Sequence, residues 1–251
     1  MFLSYKSSKE LVLKTINNSN APEIIKCLLE KIIPSLIFRV RDGGDVSYFR
    51  ATSQTTGLVK LRRSSLLYII LINFTSILFT GEICEGFGKS MFHELGHAID
   101  HLFGNKAYDE YATVSETLFR YALNGSMKKV DGLIAKSSSP IFRNIKNLKF
   151  ENDAVSDIIH IVSRYRYNVL FHHSEEYFLE GENRREHEIF ANLVQLYASR
   201  DYKSLRKLKF EYQLDWIIDT FIYWLNEVSI SNGIEVDREL NAILNSSLSK
   251  K

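Results

Sequence analysis

Cysteine is nearly absent: Cys27 and Cys84 allow at most one disulfide, and neither belongs to a C-x-x-C pair. A disulfide framework is excluded, and both read as free thiols. An excess of charge is also missing, with 32 Lys and Arg against 30 Asp and Glu spread along the chain. No nucleic-acid partner is expected from that balance, and the modest basic run from Arg200 to Lys209 reads as a solvated helix face. Long apolar runs are lacking as well. The segment Leu66 to Phe79, LLYIILINFTSILF, has 14 residues and is interrupted by Asn73, Thr75 and Ser76, whereas a spanning helix needs about 20. No stable membrane span is expected, and the segment reads as a buried strand entering a second buried element, with a membrane anchor as the minor alternative. The opening MFLSYKSSKELVLKTINN lacks the apolar core and small-residue cleavage site of a Sec-type signal. The expectation is a protein secreted or translocated by another route, or otherwise cytoplasmic.

What is present is a chain of 251 residues, 45% hydrophobic, without a visible linker or internal repeat. That suffices for a large core, and one domain over 1–251 is expected. Two helices are predicted first, Ser8 to Ile16 and Ala21 to Ile33. In the second, Ile24, Ile25, Leu28, Leu29 and Ile32 make an apolar stripe, Pro22 suits the first turn and Pro34 ends it. From 36 to 80 the texture turns β-branched and aromatic: LIFRV, a turn at Asp42-Gly43-Gly44, then VSYF, GLVKL and LLYIILIN. Three or four strands are predicted there. Everything after Gly88 reads as helix, broken at Gly104, Gly125, Pro140, Gly181 and Gly233. The fold class is therefore α+β, mainly helical, with a small sheet in the N-terminal half.

The first helix after the sheet, placed at 86–104, carries SMFHELGHAIDHLFG. His93 and His97 are four apart, so both imidazoles project from one helix face and can converge on one ion. Zinc takes such nitrogens together with a third protein ligand. Glu94 flanks that face, where a general base reaches a metal-activated water. The bland alternative is a pair of core histidines on an amphipathic helix with Met91, Phe92, Leu95 and Ile99 as its apolar side. Gly96 costs about 1 kcal/mol against Ala in a helix, which suggests a very close neighbour there. Asp100, one turn past His97, is placed to fix an imidazole tautomer, or else is an exposed helix carboxylate. His101 is peripheral.

Two glutamates compete as third ligand. Glu116, in VSETLFRYA, follows His97 after 18 intervening residues; Glu188 lies in RREHEIFANLVQLYAS, on a helix placed at 184–200. With Glu188 facing inward, Ala191, Asn192 and Gln195 share its side, and a small residue one turn on leaves room for the metal helix. Around Glu116 the residue four positions on is Arg120, an awkward neighbour for a cation. Glu188 is favoured.

His93-Glu94-Leu95-Gly96-His97-Ala98-Ile99-Asp100, together with Glu188-Ile189-Phe190-Ala191-Asn192, resembles the zinc metallopeptidase domain of anthrax lethal factor and the related Pro-Pro endopeptidases. The likeness extends over about Ala21 to Arg200. It implies a zincin-like domain with one Zn²⁺ per chain, held by His93, His97 and Glu188, with Glu94 as base. It also implies a tyrosine that donates to the oxyanion, seven residues before the glutamate ligand, where this chain has Gly181. Tyr177, eleven before Glu188, faces the same way on a continuous helix and is the candidate. Two further departures are an insertion at about 105–172, expected to be helical and to shape or block the groove, and an amide, Asn192, where the family has a carboxylate. C-terminal helices are expected over 202–251.

The function expected from these residues is a zinc endopeptidase acting on a protein or peptide substrate added along the sheet edge, in the manner of a toxin or effector protease. The alternative is an inactive binding module of the same fold.

Overall fold

The structure is a computed structural model and describes residues 5–42, 47–53, 56–63, 80–107, 110–120, 152–163, 175–179 and 183–245. Helices α1 (Tyr5–Asn18) and α2 (Glu23–Ile32) lead through a 3₁₀ turn (Ile33–Ser35) into β1 (Leu36–Asp42), β2 (Tyr48–Ala51) and β3 (Gly57–Arg63). Helix α3 (Thr80–Leu102) follows, then a short hairpin of β4 (Asn105–Ala107) and β5 (Glu110–Ala112), and helical residues 114–120. The second half holds α4 (Asp153–Val162), α5 (Glu175–Leu179), α6 (Arg184–Ala198), α7 (Tyr202–Arg206) with a π turn (Lys207–Glu211), α8 (Asp215–Ser231) and α9 (Arg238–Asn245). The class is α+β, 75% helical over the described residues, with one three-stranded sheet.

The apolar stripe of α2 behaves as its spacing requires: Ile24, Ile25, Leu28, Leu29 and Ile32 are all buried. Pro22 sits at the N-cap, one position before the first turn, where its missing N–H costs nothing. In the sheet the order is β1-β3-β2, with β1 parallel and β2 antiparallel to β3. Period-two alternation buries Leu36 and Phe38 while Ile37 and Arg39 face out, and Phe38 sits opposite Val59 on the buried face. Among the described residues β1 and β2 are the two edge strands of this sheet, and β2 lies against α3.

Helix α6 is the axis of the molecule. All its residues from Glu188 to Ala198 are buried, packed by α3 on one side and α4 on another. Phe190 stacks edge-on to Phe221 and Trp224 of α8, with ring centroids 5.9 and 5.1 Å apart. The crossing of α3 and α6 is close because Gly96 has no side chain: a Cβ there would lie 2.8 Å from Ala191 Cα and 3.1 Å from its carbonyl oxygen.

Two expectations need correction. The metal helix starts at Thr80, not at 86, because its glycines weaken a helix without forbidding it. The chain after Gly88 is not wholly helical: β4 and β5 pair in register Asn105↔Ala112, and strands of three residues are too short to leave a period-two pattern. The helix break expected at Gly181 agrees with the elements around it: α5 ends at Leu179 and Asn183 enters α6 at φ 58°, so Tyr177 and Glu188 stand on different helices. The predicted strand LLYIILIN, the Asp42-Gly43-Gly44 turn and most of the 105–172 insertion lie outside the described residues. Among the described residues no helix is long and apolar enough to cross a membrane, and Leu66 to Phe79 lies outside them.

Candidate metal centre

Helix α3 supplies His93 and His97 from adjacent turns, their rings 4.8 Å apart and perpendicular. Helix α6 crosses at Gly96 and brings Glu188 against both. Its Oε2 is 3.3 Å from His93 Nε2 and its Oε1 is 3.5 Å from His97 Nε2. These three residues are the group among the described residues that could hold a metal ion. The donor set fits one: a ligand atom from each of the three residues lies within 4.8 Å of the others. Two imidazoles and a carboxylate are the donor types zinc accepts.

Burial pushes the His93 pKa down, but the hydrogen bond and charge of Glu188, with the charges of Glu94 and Asp157, outweigh it and raise the value to about 9. Burial pushes Glu188 up, yet His97 and His93 hold it well below the usual carboxylate range. The carboxylate is therefore ionised and ready to ligate.

Glu94 is 6% exposed and lines the same cavity. Burial raises its pKa, opposed by the two histidines and by the Phe49 backbone amide of β2. A base shifted upward in this way is better matched to neutral pH than an exposed glutamate. Tyr177 reaches the triad despite the break in the helix: its hydroxyl donates to Glu188 Oε1 at 2.7 Å. Arg184, the first residue of α6, ties the two helices together by donating to the Tyr177 carbonyl at 2.8 Å and stacking 4.7 Å over its ring. Burial and the Glu188 charge push the Tyr177 phenol above its ordinary range, so it stays protonated and able to donate.

Glu116 has a different task. Its Oε2 accepts from the Thr113 backbone N–H at 2.7 Å, while Thr113 Oγ1 accepts from the Glu116 N–H at 3.3 Å. This reciprocal pair is a capping box at the start of residues 114–120, and Asn183 holds the other oxygen. The pattern Thr113-x-x-Glu116 was the sequence signal for it.

Asp100 is 1% exposed and fixes an imidazole, that of His187. His187 Nδ1 lies 2.7 Å from Asp100 Oδ2, and Ser115 donates to the same carboxylate through N–H at 2.6 Å and Oγ at 2.7 Å. An ionised carboxylate only accepts, so Nδ1 carries the proton. Burial pushes His187 down, but the Asp100 bond outweighs it and its pKa rises. The link joins α3 to α6 beside the triad. His101 is not among the ligands; its Nε2 is 2.6 Å from the Ser53 carbonyl and its ring lines the cavity.

Asn192 donates to Asp157 of α4 at 2.9 Å, and Asp157 is itself buried. A carboxylate thus stands behind the site after all, contributed by the expected insertion. Nothing in the sequence around Asp157 points to it, because the pairing is made only by the packing of α4 on α6.

The triad opens into a cavity of about 470 Å³, walled by Ser47, Phe49 and Ala51 of the edge-strand region and by Thr113, Arg184 and His187 opposite. Comparison with protein-family models, with curated proteins and with solved structures finds no match.

Proposed function

We propose that this protein is a zinc-dependent endopeptidase. The observation that carries the reading is the convergence of His93, His97 and Glu188 at 3.3 and 3.5 Å, with a buried, upward-shifted glutamate beside them. Zinc bound at such a site makes a potent nucleophile of water near neutral pH and polarises a carbonyl. The chain's own groups supply the rest. Glu94 takes the water's proton on its carboxylate and passes it to the leaving amine. Tyr177 donates its O–H to the carbonyl oxygen as charge builds there, with Arg184 holding the phenol in place.

Substrate positioning falls to β2. Edge strands accept an extended peptide through main-chain hydrogen bonds, and Ser47, Phe49 and Ala51 run along the cavity wall. The resemblance to lethal factor-like peptidases supports the same assignment, including action as a secreted or translocated effector.

Glu94→Gln is the test. It keeps the shape of the side chain and removes the base, so the variant is expected to retain zinc while losing at least about a hundredfold in turnover of a diverse peptide library. Retained proteolysis by that variant would end this mechanism. Zinc-loaded wild-type protein that cuts nothing would favour a binding module.

A further inference from the structure

Helix α8 (Asp215–Ser231) is apolar on two faces, and only the inner one is covered. Ile217, Ile218, Phe221, Ile222 and Leu225 are buried there, with Phe221 and Trp224 against Phe190 of α6. A helix that is hydrophobic all round is ordinarily enclosed. On the outer face, however, Trp216, Tyr223 and Ile230 are 48%, 60% and 63% exposed. With Ile37 of β1 they make up the exposed large hydrophobic residues among those described, so three of the four fall on one helix. They follow one another at intervals of seven residues. Seven residues are close to two full turns, so the three side chains form one stripe, with the spacing of a seam between two helices.

The stripe matches itself. Trp216 and Ile230 are equally far from Tyr223 along the helix. A second copy laid antiparallel, with a two-fold axis at Tyr223, sets Trp216 of each copy against Ile230 of the other and brings the two Tyr223 rings together. Large then meets small at both ends, and a two-fold interface requires a patch complementary to itself in this way. The charges agree with it. α8 carries Asp215, Asp219 and Glu227 and no basic residue. In the antiparallel pair each flank of the helix meets the same flank of its mate, which puts Glu227 beside Thr220 and Asp219 beside Asn226. Each carboxylate meets a neutral side chain that can donate, and no two acids meet. Asp219 is also answered within its own chain by Lys209 Nζ at 2.7 Å.

We propose that the outer face of α8 is a homodimer interface, where a second copy of this chain packs antiparallel about a two-fold axis at Tyr223. The inference is independent of the peptidase reading. One helix face about 25 Å long covers less than the roughly 800 Å² per partner of a standard interface, so the association is weak and reversible.

Two measurements test it. The first is sedimentation velocity of the full-length chain from about 1 to 200 μM, where a monomer–dimer equilibrium is expected. Tyr223→Lys sets two like charges on the axis and is expected to weaken the dimer at least about thirtyfold. Tyr223 is 60% exposed, so this variant keeps its fold, as checked by circular dichroism. The second is oxidative cross-linking in a Cys27→Ser, Cys84→Ser background, which reads the register. Tyr223→Cys protein is expected to couple to itself, and Trp216→Cys protein to couple to Ile230→Cys protein in preference to itself. Wild-type protein that stays monomeric over the whole range overturns the proposal, as does a dimer indifferent to Tyr223→Lys. Trp216→Cys protein that couples chiefly to itself overturns it too. A monomer that floats with phosphatidylcholine vesicles, and ceases to with Tyr223→Lys, gives the stripe to a lipid surface and also overturns it.

Discussion

At the scale of single residues, charge compensation explains why a buried cluster of histidines and carboxylates is tolerated. Glu188 is 1% exposed, and an unpaired carboxylate at that depth would be strongly destabilising. His93 and His97 answer its charge, and one consequence is a pH dependence with a definite sign. The His93 pKa rises from 6.5 to about 9 in the metal-free fold. A raised pKa stabilises the fold fully below the unfolded value and is lost as pH climbs through the folded one. Metal-free protein is therefore expected to lose stability between about pH 6.5 and 9, as read by chemical denaturation across that range. Zinc must displace the same proton, so its apparent affinity is expected to climb about tenfold per pH unit below 9 and to level off above. A flat affinity from pH 6 to 8 in a competitive chelator titration would show that the site holds no such proton.

At the scale of elements, the decisive contact is the crossing of α3 and α6. His93 and His97 were legible in the sequence because an i, i+4 pair must share a helix face, and Gly96 was legible because a mid-helix glycine needs a reason. Gly96→Ala separates two effects. Helix propensity favours alanine by up to about 1 kcal/mol. Against that, the new methyl would sit 2.8 Å from the Ala191 backbone, and overpacking of this kind costs about 1–3 kcal/mol. Net destabilisation is expected, together with weaker zinc binding as Glu188 is pushed from the histidines, measured by thermal unfolding and metal titration. A more stable variant with unchanged zinc affinity would show that the helices do not meet there. Other parts of the site were hidden at this scale. The break between α5 and α6 removed the periodicity argument for Tyr177, and its position came instead from Arg184 pinning one helix to the other. Glu116 looked like a ligand by spacing while the Thr113-x-x-Glu116 box had already assigned it to a helix start.

At the scale of the whole molecule, the arrangement follows from one buried helix. The apolar content of α6 needed cover on several sides, and α3, α4 and α8 provide it. The apolar stripe of α2 and the β-branched, aromatic run LIFRV of β1 made the α+β class readable from sequence. Asp157 and the Asp100–His187 link were not, because their partners are 35 and 87 residues away and no local pattern encodes such pairings. The same distance applies to the ligands themselves, with Glu188 far along the chain from His93 and His97. Zinc content per chain by plasma mass spectrometry, compared between wild type, Glu188→Ala and Glu116→Ala, tests that assembly most directly. The account predicts one zinc in wild type and in Glu116→Ala and a sharp loss in Glu188→Ala. Full zinc in folded Glu188→Ala, or its loss in Glu116→Ala alone, would contradict it.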